Sequence, residues 1–147
     1  GVSWRLPHEL EWEKAAKGVD GRFFVWGDGF DPSYGCMRQS HPGRALPVGV
    51  DGFPIDESVY GVRGMAGNMM DWTASVWSED WSGIAVENDV FLAEPSGLPS
   101  EISTGSYHLY RGGGWNSDAI YARVSNRIIS TPTFTDSYLG FRLGLPL

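Results

Sequence analysis

Apolar positions recur with a helical period only near the start of the chain. In PHELEWEKAAK, Leu10, Trp12, Ala15 and Ala16 form the apolar side, which predicts a helix over Pro7–Lys17. Pro7 suits the first helical position, Glu9 the first turn, and Lys14 and Lys17 the last, with Gly18 as terminator. Leu6 and Leu10 would meet across the helix start. Glu13 and Lys17 have the favourable order four residues apart. Beyond Gly18 the pattern breaks into short segments such as Arg22–Trp26, punctuated by glycine and proline. A second short helix is predicted near Gly67–Ser75, with a strand from Ala74–Trp77 as the alternative. Residues Ser78–Thr104, with Pro95, Pro99 and scattered acids, read as a long surface excursion. Tyr107–Gly114 and Leu139–Leu145 read as short strands, separated by the irregular stretch Asn116–Tyr138. The expectation is an α+β domain, loop-rich, with short strands and one or two helices.

The composition fits one globular domain over residues 1–147: 41% hydrophobic and 20% charged residues support one core. Seven Trp and 20 Gly indicate dense packing between many turns. The net charge of −7 disfavours nucleic acid as a partner. Cys36 is the only cysteine, so an internal disulfide is excluded. No apolar run approaches the ~20 residues of a membrane span. The chain starts at Gly1 without a signal peptide, as the C-terminal part of a longer protein would. The cytoplasm and the cell surface of a prokaryote both remain open as its location.

Several short motifs follow one another in a fixed order. Arg5-Leu6-Pro7 precedes Glu9, Glu11, Trp12, Glu13, Ala15 and Ala16. Then come Trp26-Gly27-Asp28, Pro47-Val48-Gly49, Tyr60 to Asn68 (YGVRGMAGN) and Asp71-Trp72-Thr73. Arg111-Gly112-Gly113-Gly114-Trp115, Arg123, Arg127 and Gly140-Phe141-Arg142 close the series. In this order and spacing the chain resembles the formylglycine-generating-enzyme (sulfatase-modifying factor) family. The resemblance implies a C-type-lectin-like fold and runs from Arg5 to Arg142. It places Trp12, Trp26, Trp72, Trp115 and Phe141 in the core, and pairs Arg111 and Arg142 with Asp28 or Asp71, because an unpaired buried guanidinium is costly.

Catalytic members of the family use two copper-binding cysteines after the RGG motif. The matching places here are Ser117 and Ala122, which offer no thiolate, so the resemblance implies a chain that is not an enzyme. A second enzymatic branch holds iron with histidines. Here His8, His41 and His108 are scattered, with His8 reading as a surface or capping residue. No GxSxG, HExxH or phosphate-cradling motif occurs. Asp80, Glu79, Glu87 and Asp89 read as a solvated face. The resemblance also implies a calcium ion, with Asp71 supplying a carboxylate and Gly67 and Met69 backbone carbonyls, although Asp71 is shorter than the usual Glu. The alternative for Asp71 is an arginine partner.

The segment Asn116–Tyr138 lacks Lys, Glu, Gln, Met and Trp. These five types together make up roughly a fifth of average usage. None of them has a codon ending in a pyrimidine, whereas Asn, Ser, Asp, Ala, Ile, Tyr, Val, Thr and Phe all do. Randomising the first two bases of an Asn codon yields such a set. This resembles the variable region of a diversity-generating retroelement, whose variable proteins include members of this fold. The implied ligand-binding residues are Asn116, Ser117, Asp118, Ala119, Ile120, Tyr121, Ser125, Asn126, Ile128, Ser130, Thr133, Phe134, Thr135, Asp136, Ser137 and Tyr138. Val124 and Ile129 lie in the same stretch, and Val124 and Tyr138 are candidates for the core. Trp115 and Phe141 would anchor the ends, and Arg123 and Arg127 the middle. The expected function is a binding module for a protein or small-molecule ligand. Separately, Asp20 to Phe24 (DGRFF), and Met65-Ala66-Gly67 before Asp71-Trp72, resemble such domains fused to bacterial serine/threonine kinases, which implies an upstream kinase domain.

Overall fold

A computed structural model describes residues 4–77, 85–87, 90–92 and 106–145. Helix α1 spans Glu9–Lys17, two residues shorter at its start than the pattern predicts. His8, not Pro7, sets that start. Its carbonyl accepts from Trp12 N at 2.9 Å, its ring Nδ1 accepts from Leu10 N at 3.3 Å, and Glu11 reaches back to His8 N at 2.8 Å. These contacts satisfy amide groups that the first turn leaves unpaired. Gly18, at φ 73°, ends the helix by donating to the Lys14 carbonyl. The expected Glu13–Lys17 pair forms at 2.5 Å.

The buried side of α1 is Glu9, Trp12 and Ala16. It packs on a four-stranded sheet with the order β5-β4-β1-β6. These strands are β1 (Met70–Val76), β4 (His108–Arg111), β5 (Ile128–Ser130) and β6 (Leu139–Phe141), with a hairpin of β2 (Ala85–Glu87) and β3 (Val90–Leu92) between β1 and β4 in the chain. β1 runs antiparallel to β4 and parallel to β6, and β4 antiparallel to β5. Except for that hairpin, the excursion at 78–104 lies outside the described residues, as do Glu79, Asp80 and Asp89.

β1 replaces the predicted second helix and extends the alternative strand from Ala74 back to Met70. Its inward positions are Asp71, Thr73 and Ser75, all buried. Each has its own partner. Asp71 accepts from the Trp12 indole at 2.9 Å, Thr73 donates to the Leu109 carbonyl at 2.9 Å, and Ser75 accepts from Glu9 N at 2.9 Å. The alternation is real but carried by polar residues, so apolar periodicity does not reveal it.

On the other face, the register places Phe141, Trp72, Tyr110 and Ile128 side by side, one per strand. Trp72 and Tyr110 meet edge to face at 5.1 Å, and Phe134 stacks on Tyr110 at 6.4 Å. This placement corrects the expectation for Phe141. It sits on the edge strand, turned away from α1, and is 65% exposed. Trp26, Trp72 and Trp115 are half-buried rather than core. The core itself joins Trp12, Ala16, Phe24, Val25, Met37, Met65, Ala66, Ala122 and Val124.

Two backbones meet tightly beneath the sheet. Gly67 N donates to the Gly112 carbonyl at 2.7 Å. A Cβ on Gly67 (φ 109°) would lie 2.3 Å from the Cys36 carbonyl oxygen, and one on Gly112 (φ 100°) 3.1 Å from the Trp12 ring. Only glycine fits both the space and the left-handed backbone.

Candidate recognition surface

The segment Asn116–Tyr138 leaves the scaffold at Trp115 and rejoins it at β6. At its start, Trp115 N donates to the Asn68 carbonyl at 2.8 Å and the Trp115 indole to the Ser137 carbonyl at 3.3 Å. At its end, Met70 N donates to the Tyr138 carbonyl at 2.8 Å. A 3-10 turn over Ala119–Ala122 then drops Ala122 and Val124 into the core. Val124 is fixed on both sides of its peptide: its N–H donates to the Phe23 carbonyl at 2.9 Å, and its carbonyl accepts from Arg111 Nη2 at 2.8 Å. Next, Arg127 grips both oxygens of Glu9 at 2.7 and 2.6 Å. β5 pairs with β4, and the chain returns through Thr131 to Phe134, whose ring covers Tyr110.

Arg111 ties these supports together. Its side chain is fully buried, 5.4 Å over the Trp12 ring. Nη2 reaches Glu13 at 2.5 Å, and Nη1 lies 3.7 Å from Glu9. Burial lowers the Arg111 pKa, opposed by the charges of Glu13 and Glu9. The expected partner Asp28 is elsewhere, exposed and accepting from Phe23 N at 3.0 Å. Glu9, in the first turn of α1, is buried with Arg127 and Arg111 beside it.

Between the supports, side chains face outward. Asn116, Ile120, Tyr121, Ser125, Ile129, Thr133, Thr135, Asp136 and Ser137 are exposed. Asp118, Ala119, Asn126, Ile128, Ser130, Phe134 and Tyr138 are half-buried. Ser117 is corrected as a face residue, and Val124 takes the core place named for it. Val124 is 1% exposed and belongs to the core. Ser117 is buried because its hydroxyl accepts from Gly114 N at 3.0 Å, closing the turn after the glycines. Of the two arginines expected to hold the middle, Arg127 does so by its ion pair with Glu9, while Arg123 is exposed, makes no ion pair among the described residues and lies over the Phe23 ring. Sequence reading missed Phe23, Arg38 and Gln39, which border the segment. Arg38 and Gln39 both engage Asp118, some 80 positions away in the chain, and no local pattern signals that contact.

The donors around Asp71 are already engaged. Asp71 Oδ2 accepts from Trp12 Nε1 at 2.9 Å and from Arg142 Nε at 2.6 Å. Arg142 Nη2 also takes the Gly64 carbonyl at 2.8 Å. The Arg142 guanidinium therefore occupies Asp71 Oδ2 and the Gly64 carbonyl, and a carboxylate already paired with that cation does not fit a calcium ion. The arginine alternative for Asp71 is the one observed. The hydroxyl of Ser117 and the methyl of Ala122 do not fit copper. Among the described residues, no group of three or more His, Cys, Asp or Glu is placed to hold a metal. Cys36 is buried, 3.5 Å from His41 Nε2, and burial pushes its thiol pKa up, which disfavours the reactive thiolate. His8 caps the helix, and His108 lies 3.4 Å from Ser106.

Residues 2–145 match the sulfatase-modifying factor enzyme 1-like domain. The formylglycine-generating enzyme of Thermomonospora curvata is 33% identical over 152 residues, covering 94% of this chain and 48% of that protein. The serine/threonine-protein kinase Pkn1 of Chlamydia trachomatis is 32% identical, over 96% of this chain and 21% of the kinase. Among solved structures, Treponema denticola variable protein 1 superposes with a TM-score of 0.63 at 27% identity, covering 97% of this chain and 47% of that one. The chain thus spans half or less of the length of each of these relatives. It belongs to the sulfatase-modifying factor enzyme 1-like domain family and has the C-type-lectin-like fold of that family.

Proposed function

We propose that this domain is a non-enzymatic binding module whose segment 116–138 displays exchangeable side chains to a protein or small-molecule ligand. The observation that carries the reading is the separation of roles along that segment. Ala122, Val124 and Arg127 are held by core and ion pair, while Ile120, Tyr121, Ser125 and Thr133 to Ser137 stand outside, Phe134 excepted. Exposed positions away from caps, cores and pairs change stability by only about 0.5 kcal/mol. A surface of this kind accepts new side chains without refolding. The likeness to a variable protein supports the retroelement origin. The lack of thiols at Ser117 and Ala122 supports the absence of the copper oxidase reaction.

A combinatorial library tests this reading. Asn116, Ile120, Tyr121, Ser125, Thr133 and Thr135 are varied together, and expression and thermal melting of random members are measured. Most members should stay folded with a melting temperature near the parent's. Widespread unfolding would remove the display surface. Sequencing the flanking DNA should reveal a template repeat that differs from this segment almost only at adenines. Copper-dependent oxidation of a cysteine peptide by the purified protein would overturn the non-enzymatic assignment.

A second reading is a sensor domain attached to a serine/threonine kinase, and the similarity to Pkn1 favours it. It is compatible with the first, since the same surface would receive the signal. A complete gene without a kinase domain dismisses it.

A further inference from the structure

We propose that Arg123 and Phe23 form an unchanging clamp in the displayed surface that receives a carboxylate of a peptide or protein partner, beside an apolar side chain resting on Ile120 and Tyr121. This rests on the binding reading above and specifies the partner's chemistry.

The starting observation is an imbalance of charge. The chain carries 18 acidic and 11 basic side chains, so carboxylates are plentiful. Arg38, beside the segment, and Arg127, within it, are neutralised by Asp118 and Glu9. Arg123 is exposed, and no carboxylate pairs with it among the described residues. Its guanidinium lies instead over the Phe23 ring, 5.2 Å from the centroid. An aromatic face holds a cation in place without neutralising it.

The two residues are also tethered through the main chain. Val124 N donates to the Phe23 carbonyl at 2.9 Å, Arg123 N to the Ile120 carbonyl at 3.4 Å, and Asn126 N to the Arg123 carbonyl at 2.9 Å. Less freedom is therefore lost on binding than for a mobile surface arginine. The planar fork of the guanidinium matches both oxygens of a carboxylate. Ile120 is 57%, Tyr121 43% and Phe23 50% exposed, so an apolar surface adjoins the charge. Arginine with aromatic neighbours is the composition of an interface hot spot, where surrounding apolar contacts exclude water and strengthen the ion pair.

The test is a selection of binders to the full chain from a random peptide display library. Binders are then measured against Arg123→Gln and Tyr121→Ala, both checked for folding by circular dichroism. The expected peptides carry Asp or Glu next to an apolar residue. Changing that acid to its amide should weaken binding tenfold or more, and so should Arg123→Gln, with little further loss when both are changed. Peptides that need Tyr121 but bind Arg123→Gln as well as the parent overturn the clamp and leave the displayed surface intact. A library with no binders, or with binders indifferent to both variants, overturns the clamp, while the binding reading stands or falls on the combinatorial library above.

Discussion

Arg127 places two guanidinium nitrogens on the two carboxylate oxygens of Glu9, joining residues 118 positions apart. Glu9 is buried on α1 and also faces Arg111, so its removal leaves two guanidinium groups short of negative charge. Glu9→Ala should lower stability by about 3 kcal/mol, read from the denaturant midpoint at constant slope. A loss within measurement error would mean that the pair does not anchor the segment.

Asp56 gives a pH signature. It is buried, accepts from Met65 N and Ala66 N at 3.1–3.2 Å, and burial raises its pKa to about 6 from the model-compound value of 3.8. The folded state therefore binds a proton between about pH 4 and 6 that the unfolded chain has released. This contribution to stability is fully present below pH 3.8 and is lost as the pH rises through 6. Subtracting the stability profile of Asp56→Asn from that of the parent should isolate a fall across this window. A flat difference would place the Asp56 carboxyl at its ordinary pKa.

Gly67 and Gly21 make a matched pair. Gly67→Ala forces a Cβ to within 2.3 Å of the Cys36 carbonyl oxygen at a left-handed φ, whereas a Cβ on Gly21 meets nothing within 4 Å. Gly67→Ala should cost more than about 2 kcal/mol or fail to fold. Gly21→Ala should stay within roughly 0.5 kcal/mol of the parent in thermal melts.

Within the displayed segment, Val124→Ala and Tyr121→Ala should differ sharply. Val124 is core at 1% exposure and Tyr121 is 43% exposed. The first should destabilise by about 2 kcal/mol through lost burial and a residual cavity, the second by less than about 0.5. Equal losses measured by chemical denaturation would contradict the division between anchored and displayed positions.

The sequence made α1 legible because Trp12 and Ala16 recur at helical spacing and Gly18 stops the run. It made the family legible because motifs from Arg5 to Arg142 kept their order. Only the end of β1 was legible, as the alternative strand from Ala74, because Asp71, Thr73 and Ser75 point inward, each held by a residue remote in sequence. The partner of Arg142 was among the two acids named, but those of Arg111 were not, since nothing local brings Glu9 and Glu13 to a strand a hundred residues on. Phe141 was misplaced for a related reason: its motif implies packing, while its exposure follows from lying on an edge strand. In the candidate surface, the outward residues were largely visible from composition. Phe23, Arg38 and Gln39 became visible only when the loops that carry them were brought against the segment.

The core seats of Ala122 and Val124 have a consequence at the level of heredity. Alanine and valine, like the Arg123 between them, can be spelled by triplets free of adenine. A mutator confined to adenine would pass over all three when they are so spelled. Codon choice would then shield the parts that must fit together, leaving any adenine-containing triplets beside them open to change.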